Sequence, residues 1–246
     1  MPKLLVIIPA YNEEEAILRT VEQLQSHCPD ADYVVVNDCS RDGTRRILRE
    51  HGLAYLDLPV NLGIGGGVQT GFRYALEHGY DVAVQFDGDG QHRAECIPQL
   101  IAPLLAGEAD MVVGSRFFPS DGAPSGFRSS AARRAGIAVL SRLIRLCTGE
   151  TIYDATSGFR AINRPLIAKF AADYAQDYPE PESIVAALVS GYRVREVAVQ
   201  MNERQGGVSS IRSLSSLYYM IKVSLAILLA GMRLHSRARK GGNPRE

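Results

Sequence analysis

The sequence predicts an α/β fold with a mostly parallel, doubly wound central sheet. Short apolar, β-branched runs alternate with amphipathic stretches, and such runs are typical of strands buried on both faces. The runs cover residues 4–8, 33–36, 53–58, 82–86 and 111–113. The stretches between them have helical spacing and begin near Asn12, Asp42, Gly65 and Glu95, with Asn12 and Asp42 at cap-like positions. This alternation indicates parallel strands, so we expect ligands beyond their carboxyl ends.

Composition excludes several classes of protein. The 246 residues include 27 Lys+Arg and 27 Asp+Glu, so the formal net charge is zero and no nucleic-acid binding by bulk charge is expected. Hydrophobic residues make up 46%, as in a globular domain, which excludes intrinsic disorder. The four cysteines form no C-x-x-C pair, and the apolar run at residues 4–8 is too short for a signal peptide. We therefore expect free thiols and a cytoplasmic location.

The end of the chain differs from the rest. Residues 213–232 contain one charged residue, Lys222, whose charge would cost about 2.5–3.5 kcal/mol inside a membrane. One helical face would carry Leu214, Tyr218, Ile221, Leu225, Leu228 and Met232. We predict a main domain over residues 1–210 and an apolar, basic-ended helix and tail over 211–246. This segment is expected to lie on the membrane surface or bind a partner, and a helix folded back onto the domain is the alternative.

Two carboxylates follow the fourth predicted strand. Asp87 and Asp89 come directly after residues 82–86. Carboxylates separated by one residue on an extended turn can face the same side, and oxygen-rich sites of this kind hold Mg²⁺ or Mn²⁺ against phosphates. A second Asp-x-Asp, at residues 30–32, precedes a strand and is expected at the opposite, amino end. Position therefore favours Asp87 and Asp89 as a ligand site.

Other residues at strand ends have two interpretations. Asp38 can accept hydrogen bonds from a base or ribose, or it can shape a turn and cap a helix together with Asp42. The cations near loops are Arg116, Arg133, Arg134 and Arg204. Arginine binds phosphate oxygens at two points, although each of these can equally be a surface charge.

The glycines after residue 61 exclude two nucleotide-binding motifs. From Gly63 the pattern G-x-G-x-x-G fails at Val68, and no Gly-Lys-Ser/Thr occurs in the chain. Gly63, Gly67 and Gly71 recur every four residues, so they would share one helical face and permit close packing.

Six motifs, taken together, resemble glycosyltransferase family 2, in particular its dolichyl- or polyprenyl-phosphate sugar transferase branch. They are Ile7–Glu14, Val36–Thr44, Asn61-x-Gly63, Asp87–His92, Gly114–Arg116 and Thr156–Arg160. Their order and spacing, over about residues 3–210, carry the resemblance. It implies a GT-A fold and an inverting transfer from a nucleotide-diphosphate sugar, UDP- or GDP-linked, with Mn²⁺ or Mg²⁺.

The resemblance also implies roles for individual residues. The nucleotide would be held by Pro9, Ala10, Tyr11, Glu13, Asp38 and Arg204, and the metal by Asp87, Asp89 and Gln91. Arg116 and Arg133 or Arg134 look like the cations that position an acceptor phosphate. A lipid phosphate is already anionic and needs no base.

The chain departs from the family pattern at three places. Asn37-Asp38-Cys39 stands where two acids and a glycine are usual, which leaves the choice of nucleotide open. The lysine of Gly-x-Ser-Lys is missing at Ser210. The chain has no Trp and thus no Gln-x-x-Arg-Trp, which argues against a processive polysaccharide synthase.

Three functions follow from the sequence. The leading one is a cytoplasmic enzyme, peripheral at the inner face of the membrane, that transfers a sugar to polyprenyl phosphate. The second is transfer to a saccharide hydroxyl in cell-surface glycan synthesis, which requires a base such as Glu182 or Asp154, although Glu182 also fits a helix start. The third is a non-catalytic nucleotide-sugar-binding subunit whose residues 211–240 dock a small membrane partner. Each is compatible with a homo-oligomer.

Overall fold

The computed structural model describes residues 2–118, 131–202, 222–229 and 232, and only the backbone of residues 131–135. Its strands are β1 Leu4–Ala10, β2 Asp32–Asn37, β3 Tyr55–Asp57, β4 Val82–Gln85, β5 Met111–Ser115, β6 Arg160–Asn163 and β7 Val194–Ala198. Its helices are α1 Ile17–His27, α2 Thr44–Glu50, α3 Gly63–Glu77, α4 Ile97–Leu105, α5 Ala131–Thr148, α6 Arg164–Ala172 and α7 Pro179–Val189. A single 3-10 turn, Ala94–Cys96, precedes α4, and residues 222–229 are also helical.

One seven-stranded sheet has the strand order β3-β2-β1-β4-β6-β5-β7. Strand β6 is antiparallel to both of its neighbours, and all the other pairings are parallel. The predicted mostly parallel sheet is confirmed, and the five predicted strands correspond to β1–β5. Strands β6 and β7 were not predicted because neither contains a long all-apolar run: β6 has only four residues, and β7 carries two charges.

Helices cover both faces of the sheet. Along β1, Leu5 and Ile7 belong to one hydrophobic cluster, whereas Val6 and Ile8 belong to the other. This alternation follows the two-residue period of a strand. The first cluster also contains side chains of α3, α5, α6 and α7, and the second contains side chains of α1, α2 and α4. The apolar character of β1 therefore reflects burial on two sides.

Helix α3 lies against β1 through its glycines. A Cβ atom on Gly71 would lie 2.2 Å from Cγ2 of Ile7, whereas one on Gly67 would have its nearest neighbour, Cβ of Pro9, at 3.8 Å. Gly63 has a positive φ of 75°, and a Cβ atom on it would have no neighbour within 4 Å. The prediction of close packing is thus confirmed at Gly71, while Gly63 serves the turn that begins the helix.

Of the two predicted helix starts, the one at Asn12 is wrong, and the one at Asp42 lies one residue before the N-cap of α2, Gly43. Helix α1 begins at Ile17 rather than near Asn12, whose φ of 58° is left-handed and whose side chain accepts a hydrogen bond from the backbone of Arg41. Asp42 accepts hydrogen bonds from the backbone N–H and the hydroxyl of Thr44, the first residue of α2. Asn12 joins two loops instead of starting a helix.

The helical residues 222–229 contact the domain through one side. Val223 and Ile227 are fully buried in the cluster that contains α5, whereas Leu225 and Met232 are exposed. The predicted apolar face, which included Leu225 and Met232, is therefore not the face that packs on the domain. Among the residues that the structure describes, no helix is both long and apolar enough to cross a membrane. All four cysteines are free thiols, as expected.

Candidate active site

The parallel strands bring the candidate residues to one edge of the sheet. Strand β1 lies between β2 and β4, so the residues that follow these three strands meet at their carboxyl ends. Asp38 N–H donates to the carbonyl of Ala10. A Cβ on Gly88 would lie 3.2 Å from the carbonyl oxygen of Pro9, so the turn after β4 closely approaches the end of β1. The edge thus combines Tyr11, Asp38 and the turn that carries Asp87.

Asp38 holds the start of helix α3. Its Oδ1 accepts the backbone N–H of Leu62 at 2.7 Å, and its Oδ2 accepts that of Gly63 at 2.8 Å. Asp38 is 4% exposed, and its carboxylate satisfies two N–H groups at the start of α3 that have no partner within the helix. The helix-capping interpretation of Asp38 is confirmed, although the cap belongs to α3. A carboxylate oxygen can accept more than one hydrogen bond, so a nucleotide contact remains a prediction.

Two loops at this edge are joined by hydrogen bonds. The backbone N–H of Asn12 donates to Ser40 Oγ at 3.0 Å, and that of Glu13 donates to Thr44 Oγ1 at 2.8 Å. Glu14 Oε2 accepts the N–H of Gly43 at 2.7 Å. Polar residues from two motifs that are separate in the sequence therefore fix one loop against the other.

The turn after β4 supplies two carboxylates with different surroundings. The Asp87 side chain is 32% exposed, whereas Asp89 is 6% exposed and accepts the backbone N–H of Gln91 at 3.0 Å. Asp87 Oδ1 accepts a hydrogen bond from Gln85 Nε2 at 3.3 Å. A Cβ on Gly158 would lie 2.8 Å from Asp87 Oδ2. A larger residue at this position would therefore collide with the Asp87 carboxylate.

These oxygens suit a hard divalent cation. Within the described ranges, no three His, Cys, Asp or Glu side chains come together as a metal cage. Mg²⁺ is usually held by one or two carboxylates while substrate phosphates and water complete its shell, and the Asp87–Asp89 pair matches that arrangement. Gln91 follows in the same turn, and its part in holding a metal stays a prediction.

His92 closes this turn from the inside. Its Nδ1 accepts the backbone N–H of Asp87 at 2.9 Å, and its ring stacks on Phe159 with centroids 4.8 Å apart. Burial lowers the pKa of His92, against the opposing effect of the Asp87 and Asp89 carboxylates. The imidazole is therefore neutral near neutral pH, and the structure gives it a role that the sequence motif did not predict.

Arg116 and Asp154 form a buried ion pair. Arg116 Nε donates to Asp154 Oδ2 at 2.7 Å and Nη2 donates to Oδ1 at 2.8 Å. Burial would raise the pKa of Asp154, but the hydrogen bonds and charge of Arg116 outweigh it and hold this pKa below its usual range. Asp154 is fully buried, so it is unsuited to be the base that the second function requires. Arg116 is 6% exposed, and its charge lies against Asp154.

Further buried charges support this region. Glu196 accepts the backbone N–H groups of Tyr153 and Asp154 at 2.7 and 2.8 Å, and burial raises its pKa against the effect of these bonds. Arg160 is 3% exposed and donates to the carbonyls of Ser157 and Glu180. Glu196 was not predicted, and Arg160 stood out only as part of a motif, because nothing local distinguishes a buried charge from a surface one.

The remaining candidate site residues are one glutamate, in helix α7, and three arginines. Glu182 lies in the first turn of α7 and is half-buried, which agrees with its interpretation as a helix-start acid. Arg133 and Arg134 lie at the start of α5, and their side chains are outside the described residues, as is Arg204. Their predicted phosphate contacts stay predictions.

Comparison with known proteins agrees with the resemblance. The model of the family "Glycosyl transferase family 2" matches residues 5–170. The polyprenol monophosphomannose synthase of Mycolicibacterium smegmatis is 32% identical over 89% of this chain and 85% of its own length. The undecaprenyl-phosphate mannosyltransferase of Micrococcus luteus is 32% identical over 85% and 87%. A UDP-N-acetylglucosamine–dolichyl-phosphate N-acetylglucosaminyltransferase from Methanococcus voltae is 33% identical over 79% and 84%.

Solved structures share the fold. Glucosyl-3-phosphoglycerate synthase from Mycobacterium tuberculosis, in complex with Mn²⁺, UDP and phosphoglyceric acid, superposes with a TM-score of 0.69 at 19% identity, covering 94% of this chain and 78% of that one. The same enzyme with Mn²⁺, UDP-glucose and phosphoglyceric acid gives a TM-score of 0.71 at 19% identity, covering 94% and 79%. The chain therefore belongs to glycosyl transferase family 2 and is a glycosyltransferase with the GT-A fold.

Proposed function

We propose that this glycosyltransferase moves a sugar, with inversion, from a nucleotide-diphosphate sugar to a polyprenyl phosphate. The observation that carries the proposal is the Asp87–Asp89 turn at the carboxyl end of β4, beside the ends of β1 and β2. The names of three relatives, each of which specifies a polyprenol, undecaprenyl or dolichyl phosphate product or acceptor, support the acceptor class.

The donor is assigned to the edge formed by these strands. The nucleotide is proposed to contact Pro9, Ala10, Tyr11, Glu13, Asp38 and Arg204. Asp87, Asp89 and Gln91 would hold Mn²⁺ or Mg²⁺, which when bound offsets the negative charge on the departing diphosphate. The partly exposed Asp87 is suited to contact the cation, and the nearly buried Asp89 is held by the backbone of Gln91.

A phosphate acceptor is proposed because its attack on the sugar does not require a general base. An oxygen of an anionic lipid phosphate can attack the anomeric carbon directly, whereas a saccharide hydroxyl must lose a proton. Asp154 is held in its ion pair with Arg116, so among the two carboxylates considered as a base only Glu182 has access to solvent. Arg116, together with Arg133 or Arg134, is proposed to position the acceptor phosphate.

The donor class is tested by thermal unfolding with UDP, GDP, dTDP or CDP, with and without Mn²⁺. A nucleotide at 100 times its Kd should add about 2.7 kcal/mol of stability. We expect a metal-dependent shift for one nucleotide, its loss in Asp89→Asn, and its retention in Asp30→Asn, an exposed aspartate at the opposite end of a strand. The absence of any shift in the wild type would refute the metal-diphosphate site.

The acceptor is tested with labelled donor and two lipids, polyprenyl phosphate and the unphosphorylated polyprenol. We expect label in the organic phase only with the phosphate, and only with metal. Label confined to a water-soluble glycan, and its loss in Glu182→Gln with donor binding intact, would favour the saccharide-hydroxyl function. Donor binding without turnover on either acceptor would indicate a nucleotide-sugar-binding subunit.

We further propose that residues 211–240 bring the enzyme to the inner face of the membrane, directly or through a small membrane partner. Leu225, Leu229 and Met232 are exposed, on the side of the helix opposite to the buried Val223 and Ile227. Exposed apolar side chains on one helical face are typical of interfacial helices. Wild-type protein should sediment with anionic lipid vesicles, and the Leu225→Ser/Leu229→Ser variant should sediment less. Equal sedimentation of the two would contradict this attachment.

A further inference from the structure

The turn that carries Asp87 and Asp89 is tied to a side chain that follows it in the sequence. His92 Nδ1 accepts the backbone N–H of Asp87 at 2.9 Å, across five residues. Within the turn, Asp89 Oδ1 accepts the N–H of Gln91 at 3.0 Å. The backbone of His92 in turn forms a β-bridge with Met201. The imidazole therefore holds the Asp87 end of the turn, while the Thr20 hydroxyl holds the carbonyl of Gly88 at 3.1 Å.

The hydrogen bond at Nδ1 determines where the imidazole carries its proton. A neutral imidazole has one donor and one acceptor nitrogen, so an accepting Nδ1 places the proton on Nε2. Nε2 lies 3.5 Å from Asp87 Oδ2. The same ring thus faces both the backbone N–H and the carboxylate of Asp87.

The ring has little freedom to turn away. Its plane stacks on Phe159 at an angle of 19°, and the edge of Phe86 approaches it at a centroid distance of 5.6 Å. His92 is 3% exposed. On the other side of the carboxylate, Gln85 Nε2 donates to Asp87 Oδ1, and Gly158 leaves room for Oδ2. Asp87 is therefore fixed from within the protein while its side chain stays partly exposed.

We propose that His92 is a positioning residue for the metal site, acting through an Nε2–H that orients Asp87 Oδ2. The inference rests on the proposed role of Asp87 as a metal ligand. Buried partners that orient metal-binding carboxylates raise metal affinity because the ligand does not have to be ordered when the cation binds. A histidine that only fills the space between Phe86 and Phe159 would have no such effect.

Three variants separate these roles. His92→Asn keeps an acceptor near the Nδ1 position but has no donor near Nε2, whereas His92→Gln carries an amide donor that reaches the Nε2 position. His92→Phe keeps the stacking and loses both the Nδ1 hydrogen bond and the Nε2–H that faces Asp87 Oδ2. Mn²⁺ affinity is measured by electron paramagnetic resonance titration in the presence of the nucleotide that binds the wild type, and folding is followed by thermal unfolding without metal.

We expect Mn²⁺ binding to weaken about 10- to 100-fold in His92→Asn and His92→Phe, with partial recovery in His92→Gln. Nitrogen-15 NMR of the metal-free wild type should show the Nε2–H tautomer. Wild-type affinity in folded His92→Asn, or the Nδ1–H tautomer, would overturn the inference. If the variants do not fold, the tautomer decides. A wild type that binds no Mn²⁺ would instead refute the metal site itself, and the inference with it.

Discussion

Replacing Asp154 with Asn should destabilise the protein although the side chain keeps its shape. Arg116 donates to both carboxylate oxygens, at 2.7 and 2.8 Å, and its backbone N–H donates to Oδ2 at 3.1 Å. Asp154 is fully buried and Arg116 is 6% exposed. The amide would therefore remove the negative charge that lies directly against a buried guanidinium.

The expected loss can be obtained in two ways. Hydrogen bonds to charged groups contribute about 1.5–3 kcal/mol each, and the guanidinium makes two of them to Asp154. Removal of one partner of a buried ion pair costs about 3–5 kcal/mol. We therefore expect the free energy of unfolding to fall by about 3–5 kcal/mol. At about 2–4 °C per kcal/mol for a domain of this size, Tm should fall by about 6–20 °C.

The assay is urea unfolding followed by circular dichroism, repeated over a range of pH. Burial alone would raise the pKa of Asp154, but Arg116 holds this pKa below its usual value. The ion pair therefore stabilises the protein fully at pH values above the pKa of the unfolded state, about 3.9. This contribution is lost as the pH falls through the lower folded-state pKa. The difference between the wild type and Asp154→Asn should therefore be constant at neutral pH and shrink below about pH 4.

A surface pair supplies the control. Arg195 and Glu108 are joined at 2.9 Å with side chains 57% and 52% exposed, so Glu108→Gln should change stability by less than about 1 kcal/mol. In the double variant Arg116→Gln/Asp154→Asn, the loss should be smaller than the sum of the two single losses. The reasoning is refuted if Asp154→Asn costs no more than Glu108→Gln, or if the two buried substitutions are additive.

Three glycine substitutions give further predictions. The Cβ of an alanine at position 67 would have its nearest neighbour at 3.8 Å, so Gly67→Ala should leave stability unchanged or raise it by up to about 1 kcal/mol. The Cβ of an alanine at position 71 would collide with Ile7, so Gly71→Ala should lower stability by about 1–3 kcal/mol in the same urea assay. Equal effects at the two positions would contradict the packing of α3 on β1. Gly158→Ala should displace the Asp87 carboxylate and weaken Mn²⁺ binding about tenfold in a calorimetric titration. The urea midpoint should be nearly unchanged. Unaltered Mn²⁺ binding would argue against Asp87 as a ligand.

The sequence predicted the site's carboxylates better than their surroundings. Asp87 and Asp89 were distinguishable from the Asp-x-Asp at residues 30–32 because position after a strand can be read from local hydrophobic pattern. Asp38 was also placed correctly at a strand end, but its two bonds to Leu62 and Gly63 bridge separate segments of the chain. A local pattern contains no information about such a partner.

The sequence by itself determined the alternating α/β order, the strands β1–β5 and Gly71, the glycine that allows α3 to approach β1. Each of these depends on short-range properties, namely periodicity, β-branched residues and the missing Cβ. Only the tertiary structure decided the insertion of β6 between β4 and β5, and the pairing of Arg116 with Asp154. These contacts join segments far apart in the chain, and a buried charge has the same local sequence as an exposed one until its partner is in place.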